Sequence, residues 1–297
     1  MKRSVSSARF YTGLALGAAL LLATEPSQAA GAAIPHGTVE LVAENQWIQP
    51  AHESYLGLHF ELEKGWHIYW VNPGDSGEPP RVAWQLPTGV TVGEIQWPTP
   101  QRLGTSSIVD FGYENGVTLL VPVHVEAPLG AKGPAQAELE AQVKVLVCRE
   151  ICIPGKAQLS LTVRIQLQPL EADQQTRELF AAARESLLHS PPTSWKFSVA
   201  ELKDSFVLEA NLGRRITRAT FFPLVESQIE NAAPQKTVPE SSGFKMKLRK
   251  SDRLLKPIER LKGVLVLSTG RSYVIDVPID KRGATGKAES EAKLPQG

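Results

Sequence analysis

Cysteine is scarce in this 297-residue chain, with Cys148 and Cys152 the only two. That count excludes a disulfide-dense secreted scaffold, which carries several pairs closing long loops. Long apolar runs are scarce as well. Past residue 30 there is no stretch of about 18 uninterrupted apolar residues, so no membrane-spanning helix is expected there. Net charge is small, a formal +1 for the whole chain and about −1 once Lys2, Arg3, Arg9 and Glu25 of the leader are set aside. Such a balance gives no case for nucleic acid or an anionic membrane surface as partner. Also missing are a phosphate-binding glycine motif in strand–turn–helix context and a Ser-His-Asp arrangement that spacing would support. Asp75 and Glu78 lie near each other, but the sequence shows no cleft for carboxylate-pair hydrolysis.

What is present begins with an export signature. Lys2, Arg3 and Arg9 precede an apolar stretch from Leu14 to Ala23, and Ser27-Gln28-Ala29 offers a small-residue cleavage site. The stretch is shorter than the ~20 residues of a bilayer span. Residues 1–30 therefore read as a cleaved signal peptide, and no cysteine follows to carry a lipid anchor. The chain is expected to work in an oxidising compartment.

The remainder is long enough for two domains, and its prolines and short β-branched runs point to an all-β architecture. Ser54 to Leu62 alternates cleanly. Trp66, Ile68 and Trp70 share one face of the next strand, and His67, Tyr69 and Val71 the other. Strand-spaced tryptophans of this kind are core residues, while His59, His67 and His124 read as surface or hydrogen-bonded residues. A turn-rich segment, Asn72 to Pro80, precedes an extended run from Val82 to Leu86. Further strands are expected at Val90 to Trp97, Val117 to Val125 and Ala137 to Cys148. Spacing of this kind predicts an antiparallel, immunoglobulin-like sandwich over residues 31–168.

Near Pro169 the period changes. Leu179, Phe180, Ala183, Leu187 and Leu188 line one face of an amphipathic helix that Pro191 and Pro192 stop. Residues 169–194 thus read as a short helical linker. A second, smaller β domain follows over 195–280, with strand signals at 195–199, 206–210, 219–224, 244–248, 264–267 and 273–277. Residues 281–297 have almost no bulky side chains and read as a disordered tail. The expected fold is two immunoglobulin-like β-sandwich domains joined by that linker.

The cysteine pair is the one chemically distinctive feature. Residues i and i+4 of a straight strand lie ~13 Å apart, whereas a disulfide needs Cα atoms roughly 4.4–6.8 Å apart. If the two bond, Arg149-Glu150-Ile151 must form a tight three-residue hairpin loop. Alternation on both sides supports that turn. Ala137 to Val147 and Ile153 to Leu167 supply apolar faces at every second position, and both cysteines fall in phase with the polar residues between them. As a staple the pair is weak. A loop of about five residues contributes roughly 2 kcal/mol in the chain-entropy model. A redox pair needs two thiols within reach of each other, one of them open to a partner. Redox chemistry therefore ranks ahead of a structural disulfide. Metal binding comes third, since two thiolates lack the usual four ligands and no His-x-x-His element stands nearby.

The segment Val147-Cys148-Arg149-Glu150-Ile151-Cys152-Ile153-Pro154 resembles the cysteine motif of the N-terminal periplasmic domain of DsbD-type thiol:disulfide interchange proteins, in particular the ScsB-like branch. Gly65 to Gly77 with Pro79-Pro80, Ile95 to Pro100, Phe221-Phe222-Pro223 and Ile229 to Gln235 are similar to that branch as well. The resemblance implies a periplasmic, immunoglobulin-like redox domain that relays electrons through a Cys148–Cys152 dithiol–disulfide couple and so acts as a protein thiol–disulfide oxidoreductase. It implies Cys152 as the partner-facing sulfur and Cys148 as the resolving one. It also implies a mobile cap loop over the pair, for which Ser106 to Tyr113, with Asp110, Phe111 and Tyr113, is the candidate. No cofactor or metal is implied. Family members continue into membrane-embedded electron-transfer and thioredoxin-like domains, before which this chain stops. The expected partners are therefore periplasmic thiol/disulfide proteins and a separate membrane or thioredoxin-like electron donor. The alternative is a non-catalytic binding or assembly module with a structural disulfide.

Overall fold

The computed structural model describes residues 31–45, 47–104, 107–126, 136–166 and 172–281. The expected signal peptide, the start of the linker, Ser106 and the tail beyond Lys281 lie outside the described residues.

Alternation of apolar and polar residues builds three sheets. The first contains, in spatial order, Ala32–Ile34, Gly37–Ala43, Ser54–Leu62, Gly116–Val125 and Val90–Val92. The second runs Trp47–Ile48, Cys152–Ile165, Gln136–Cys148, His67–Gly74, Val109–Glu114 and Gln101–Gly104, with Arg81–Gln85 also paired along Gln136–Cys148. Inward residues of both sheets make one core: Leu56, Leu58 and Phe60 from the first meet Ile68, Trp70, Val143 and Val147 from the second. This is the expected sandwich, its long strands turning apolar residues inward.

A third sheet supplies the other β region. Its order is Ala219–Pro223, Arg260–Leu267, Ser272–Asp280, Lys196–Glu201, Ser205–Asn211, Gly243–Arg249 and Lys236–Glu240. Phe206, Leu208, Phe221, Phe244, Met246 and Leu265 form its own core. The architecture is all-β, as the sequence predicts, with a single helix among the described residues.

That helix, Gln174–Glu185, starts where Asp173 accepts hydrogen bonds from the Thr176 N–H and hydroxyl, each at 2.9 Å. It buries Phe180 and Ala183 against Leu120 on the outer face of the first sheet. Thr99 then donates to the carbonyl of Ser186, and His189 bridges to Tyr273 in the third sheet. The helix is thus docked on the first sandwich while the residues after it lead into the second β region.

The two cores touch. Phe222, from the third sheet, packs among the aromatic residues of the first sandwich, with ring centroids 5.2 Å from Phe111 and 6.4 Å from Trp70.

Candidate redox site

Gln136–Cys148 and Cys152–Ile165 form one long hairpin whose last paired residues are the cysteines themselves, Cys148 opposite Cys152. The Arg149 N–H bonds to the Ile151 carbonyl to close the three-residue turn. The sulfurs are joined in a disulfide, with Cα atoms 4.2 Å apart. Both side chains leave the sheet on its outer face, in phase with Lys144, Lys156 and Gln158, as the alternation requires.

The two sulfurs are not equivalent. Cys148 is only 2% exposed, whereas Cys152 is exposed at the hairpin end. Being in phase with the polar face does not make Cys148 accessible, because His67 pairs with it across the neighbouring strand. Next on the same face comes Tyr69, whose hydroxyl lies 3.4 Å from Cys152 Sγ and whose ring meets the His67 ring edge-on, centroids 5.3 Å apart. Arg149 leans back over the Trp66 ring at 5.4 Å, and Trp66 also stacks on His36 at 3.7 Å.

Beside the disulfide the outer face is polar but largely buried, with Tyr69 and Asp110 both shielded from water. Burial lowers the pKa of His67 below its ordinary 6.5, with Asp110 and Glu114 pulling the other way. Burial likewise raises the Tyr69 phenol above its ordinary 10.0; a hydrogen bond with Ser76 opposes this and Asp110 adds to it. Tyr69 is therefore a protonated donor facing sulfur. Asp110 is raised above its ordinary 3.8 by burial, against two hydrogen bonds from Ser76.

The segment covering Tyr69 follows the strand His67–Gly74, which takes in the first three residues of the predicted turn, and runs from Asp75 to Pro80. A methyl group added at Gly77 would sit 2.1 Å from the Tyr69 ring, and Gly77 has φ +82°, so glycine is required there twice over. Ser76 donates from its N–H and its hydroxyl to Asp110 at 3.0 Å.

The expectation of a loop at Asp110, Phe111 and Tyr113 is corrected. These residues form the strand Val109–Glu114, paired with His67–Gly74 on one side and Gln101–Gly104 on the other. Alternation sends Phe111 and Tyr113 inward, where Tyr113 donates to the Pro98 carbonyl at 2.9 Å. Asp110 alone of the three faces outward, toward Ser76 and His67. Trp66 and Trp70 are core, as read from their spacing. His59 bonds Thr118 at 2.9 Å. Asp75 and Glu78 have separate partners, Val109 and Arg81 among them. Among the described residues no cluster of metal-ligating side chains occurs.

Tyr69, Ser76 and Gly77 are the site residues that sequence reasoning missed. Tyr69 carried a signal, since alternation puts it on the face that also bears the cysteines. Ser76 and Gly77 carried none beyond a turn.

Residues 38–164 match the family described as thiol:disulfide interchange protein DsbD, N-terminal, so this stretch is similar to that domain. The N-terminal periplasmic domain of ScsB from Proteus mirabilis superposes with a TM-score of 0.61 at 14% identity, covering 86% of this chain and 99% of that one. At that identity the likeness shows a shared fold. The periplasmic chaperone SfaE aligns over 80% of this chain and 98% of its own at 10% identity, with a TM-score of 0.19; it bears on nothing here. No curated protein sequence matches the chain.

Proposed function

We propose, on the premise that residues 38–164 are similar to a DsbD N-terminal domain, that the chain exchanges electrons with other proteins in the periplasm through Cys148 and Cys152. The observation that carries this reading is the asymmetry of the pair: one sulfur exposed, the other buried directly behind it.

In the reduced form, the Cys152 thiolate attacks a partner disulfide. A Cys152–partner bond forms, the partner's own S–S bond breaks, and one partner thiolate leaves. Cys148 then attacks Cys152 Sγ, which restores the intramolecular disulfide and releases the second partner thiol. Two electrons pass from the pair to the partner. A dithiol donor, taken to be a separate membrane or thioredoxin-like protein, reverses the sequence by attacking the exposed Cys152 sulfur. Tyr69 serves both directions by donating its hydroxyl hydrogen to Cys152 as negative charge gathers there. Cys148 lacks that donor and needs no access of its own, because its only target is Cys152.

The reading is tested by trapping. Cys148→Ala removes the resolving thiol, so mixed disulfides between Cys152 and periplasmic proteins should accumulate and be seen on non-reducing gels. Cys152→Ala should trap far less. A disulfide potential between roughly −120 and −270 mV is expected. If neither variant captures a partner and the potential falls below about −300 mV, the bond is a structural one and the chain a binding module.

A further inference from the structure

The turn over Tyr69 is held from outside its own domain. Asp75 divides its carboxylate between two elements. Oδ2 accepts from the Val109 N–H at 2.8 Å, and Oδ1 accepts from Asn231 Nδ2 at 2.9 Å, across 156 residues of sequence. The Asp75 N–H returns a bond to the Val109 carbonyl at 3.0 Å. Three residues earlier, Asn72 Nδ2 donates to the Pro223 carbonyl at 2.7 Å. Between these two tethers Phe222 fills the space against Trp70 and Phe111. Asn72 and Asn231 are both nearly fully buried, so water competes poorly for these bonds.

Everything beyond the tethers leads to sulfur. Asp75 is followed by Ser76, fixed on Asp110, and by Gly77, seated on the Tyr69 ring; the Tyr69 hydroxyl reaches Cys152. We infer that the second β region is a positioning element for the redox pair, with Asn231 holding Asp75 so that the turn clamps Tyr69 against Cys152 Sγ. This inference rests on the interchange reading for its biological meaning, but its physical content is separate: the reactivity of Cys152 depends on a side chain in the other β region. Without the clamp, Tyr69 has room to turn its hydroxyl to water, and the developing thiolate loses its donor. The titratable groups around Tyr69 are Asp110 and His67, with Glu114 beside His67; Asp110 also feels Asp75, which faces Arg102 and is the group Asn231 holds, so the charge-restoring double variant is needed to separate the clamp from a change of field.

The contact permits a swap. Asn231→Asp sets two carboxylates against each other at the Asp75 position. Adding Asp75→Asn restores one amide facing one carboxylate, and the new amide oxygen still accepts from Val109. In a Cys148→Ala background, where Cys152 is the only thiol, its alkylation by iodoacetamide is followed as a function of pH. Asn231→Asp should slow alkylation roughly tenfold at neutral pH, the worth of one hydrogen bond to a charged group, and move the pH profile upward. The double variant should return to within about twofold of the parent. Tyr69→Phe should show the same loss, and Asn231→Asp should add little to it. If Asn231→Asp fails to fold, Asn72→Ala, which cuts the other tether, should give the same slowing. An unchanged rate in the folded variant, or a double variant that recovers melting temperature but not rate, overturns the inference. A parent that captures no partner while alkylation responds as described removes the interchange reading and leaves the coupling standing; capture without the response does the reverse.

Discussion

Two residues near the sulfurs make predictions of opposite character. Gly77 is geometric: its positive φ and its contact with the Tyr69 ring leave no room for a side chain. Gly77→Ala should cost about 1–3 kcal/mol in denaturant unfolding and slow exchange by displacing the turn from Tyr69. His67 is electrostatic. Its folded pKa is lowered by burial, so the unfolded chain binds the proton more readily. Its contribution to stability is complete above about pH 6.5 and is lost as pH falls through that value toward the lower folded one. Asp110 has the opposite sign. Its pKa is raised, so its contribution is complete below its ordinary 3.8 and is lost as pH rises through the folded value. As pH falls from about 7 toward 5 the His67 effect lowers stability while the Asp110 effect works against it. His67→Gln should therefore raise the urea midpoint at pH 5 relative to that at pH 7, compared with the parent.

At the scale of elements, the hairpin and the helix differ in what they can lose. Ile151, at the tip between the cysteines, is 64% exposed although large and apolar. It adjoins the exposed sulfur and supports nothing in the fold. Ile151→Asp should leave the melting temperature unchanged, leave reaction with a small disulfide such as oxidised glutathione nearly unchanged, and raise the apparent KM for a protein partner roughly tenfold, about what burying such a side chain contributes. Equal slowing with both substrates would place Ile151 outside the docking surface. The helix, by contrast, is anchored by Phe180, whose ring closes on Gly57 and Leu120. Phe180→Ala should cost about 3–5 kcal/mol by equilibrium unfolding without altering the potential of the disulfide, because the helix lies on the sheet opposite the hairpin.

At the scale of the molecule, the two β regions share material that neither replaces alone. Phe222 belongs by sequence to the second and by packing to the first, and Val264 is buried beside the same core. Wild-type calorimetry should give one transition for both regions. Phe222→Ala should resolve it into two, the first region melting earlier. No helix among the described residues is long and apolar enough to cross a membrane.

The alternation of Ser54–Leu62, the hairpin with its cysteine turn and the inward Trp66 and Trp70 were legible before any coordinates, because a period of two is a local property that each strand carries within itself. The helix was legible for the same reason at its own period, but it ends at Glu185, so Leu187 and Leu188 lie beyond it and the prolines do not stop it. The strand Val109–Glu114 was not: Asp110-Phe111-Gly112-Tyr113 is short, holds a glycine and is flanked by turn residues, and only pairing on both edges makes it a strand. Nor could alternation tell that Cys148 would be covered while Cys152 stayed open, since phase fixes the face and not what lies on it. The clamp was beyond reach for a stronger reason. Asn72 meets Pro223, and Asp75 meets Asn231, across more than 150 residues, and a contact of that separation leaves no period in a single chain. Sequence alone thus determined the pair and the face that bears it; tertiary structure decided which sulfur meets a partner and what holds Tyr69 beside it, because burial and long-range hydrogen bonds exist only once both β regions have packed.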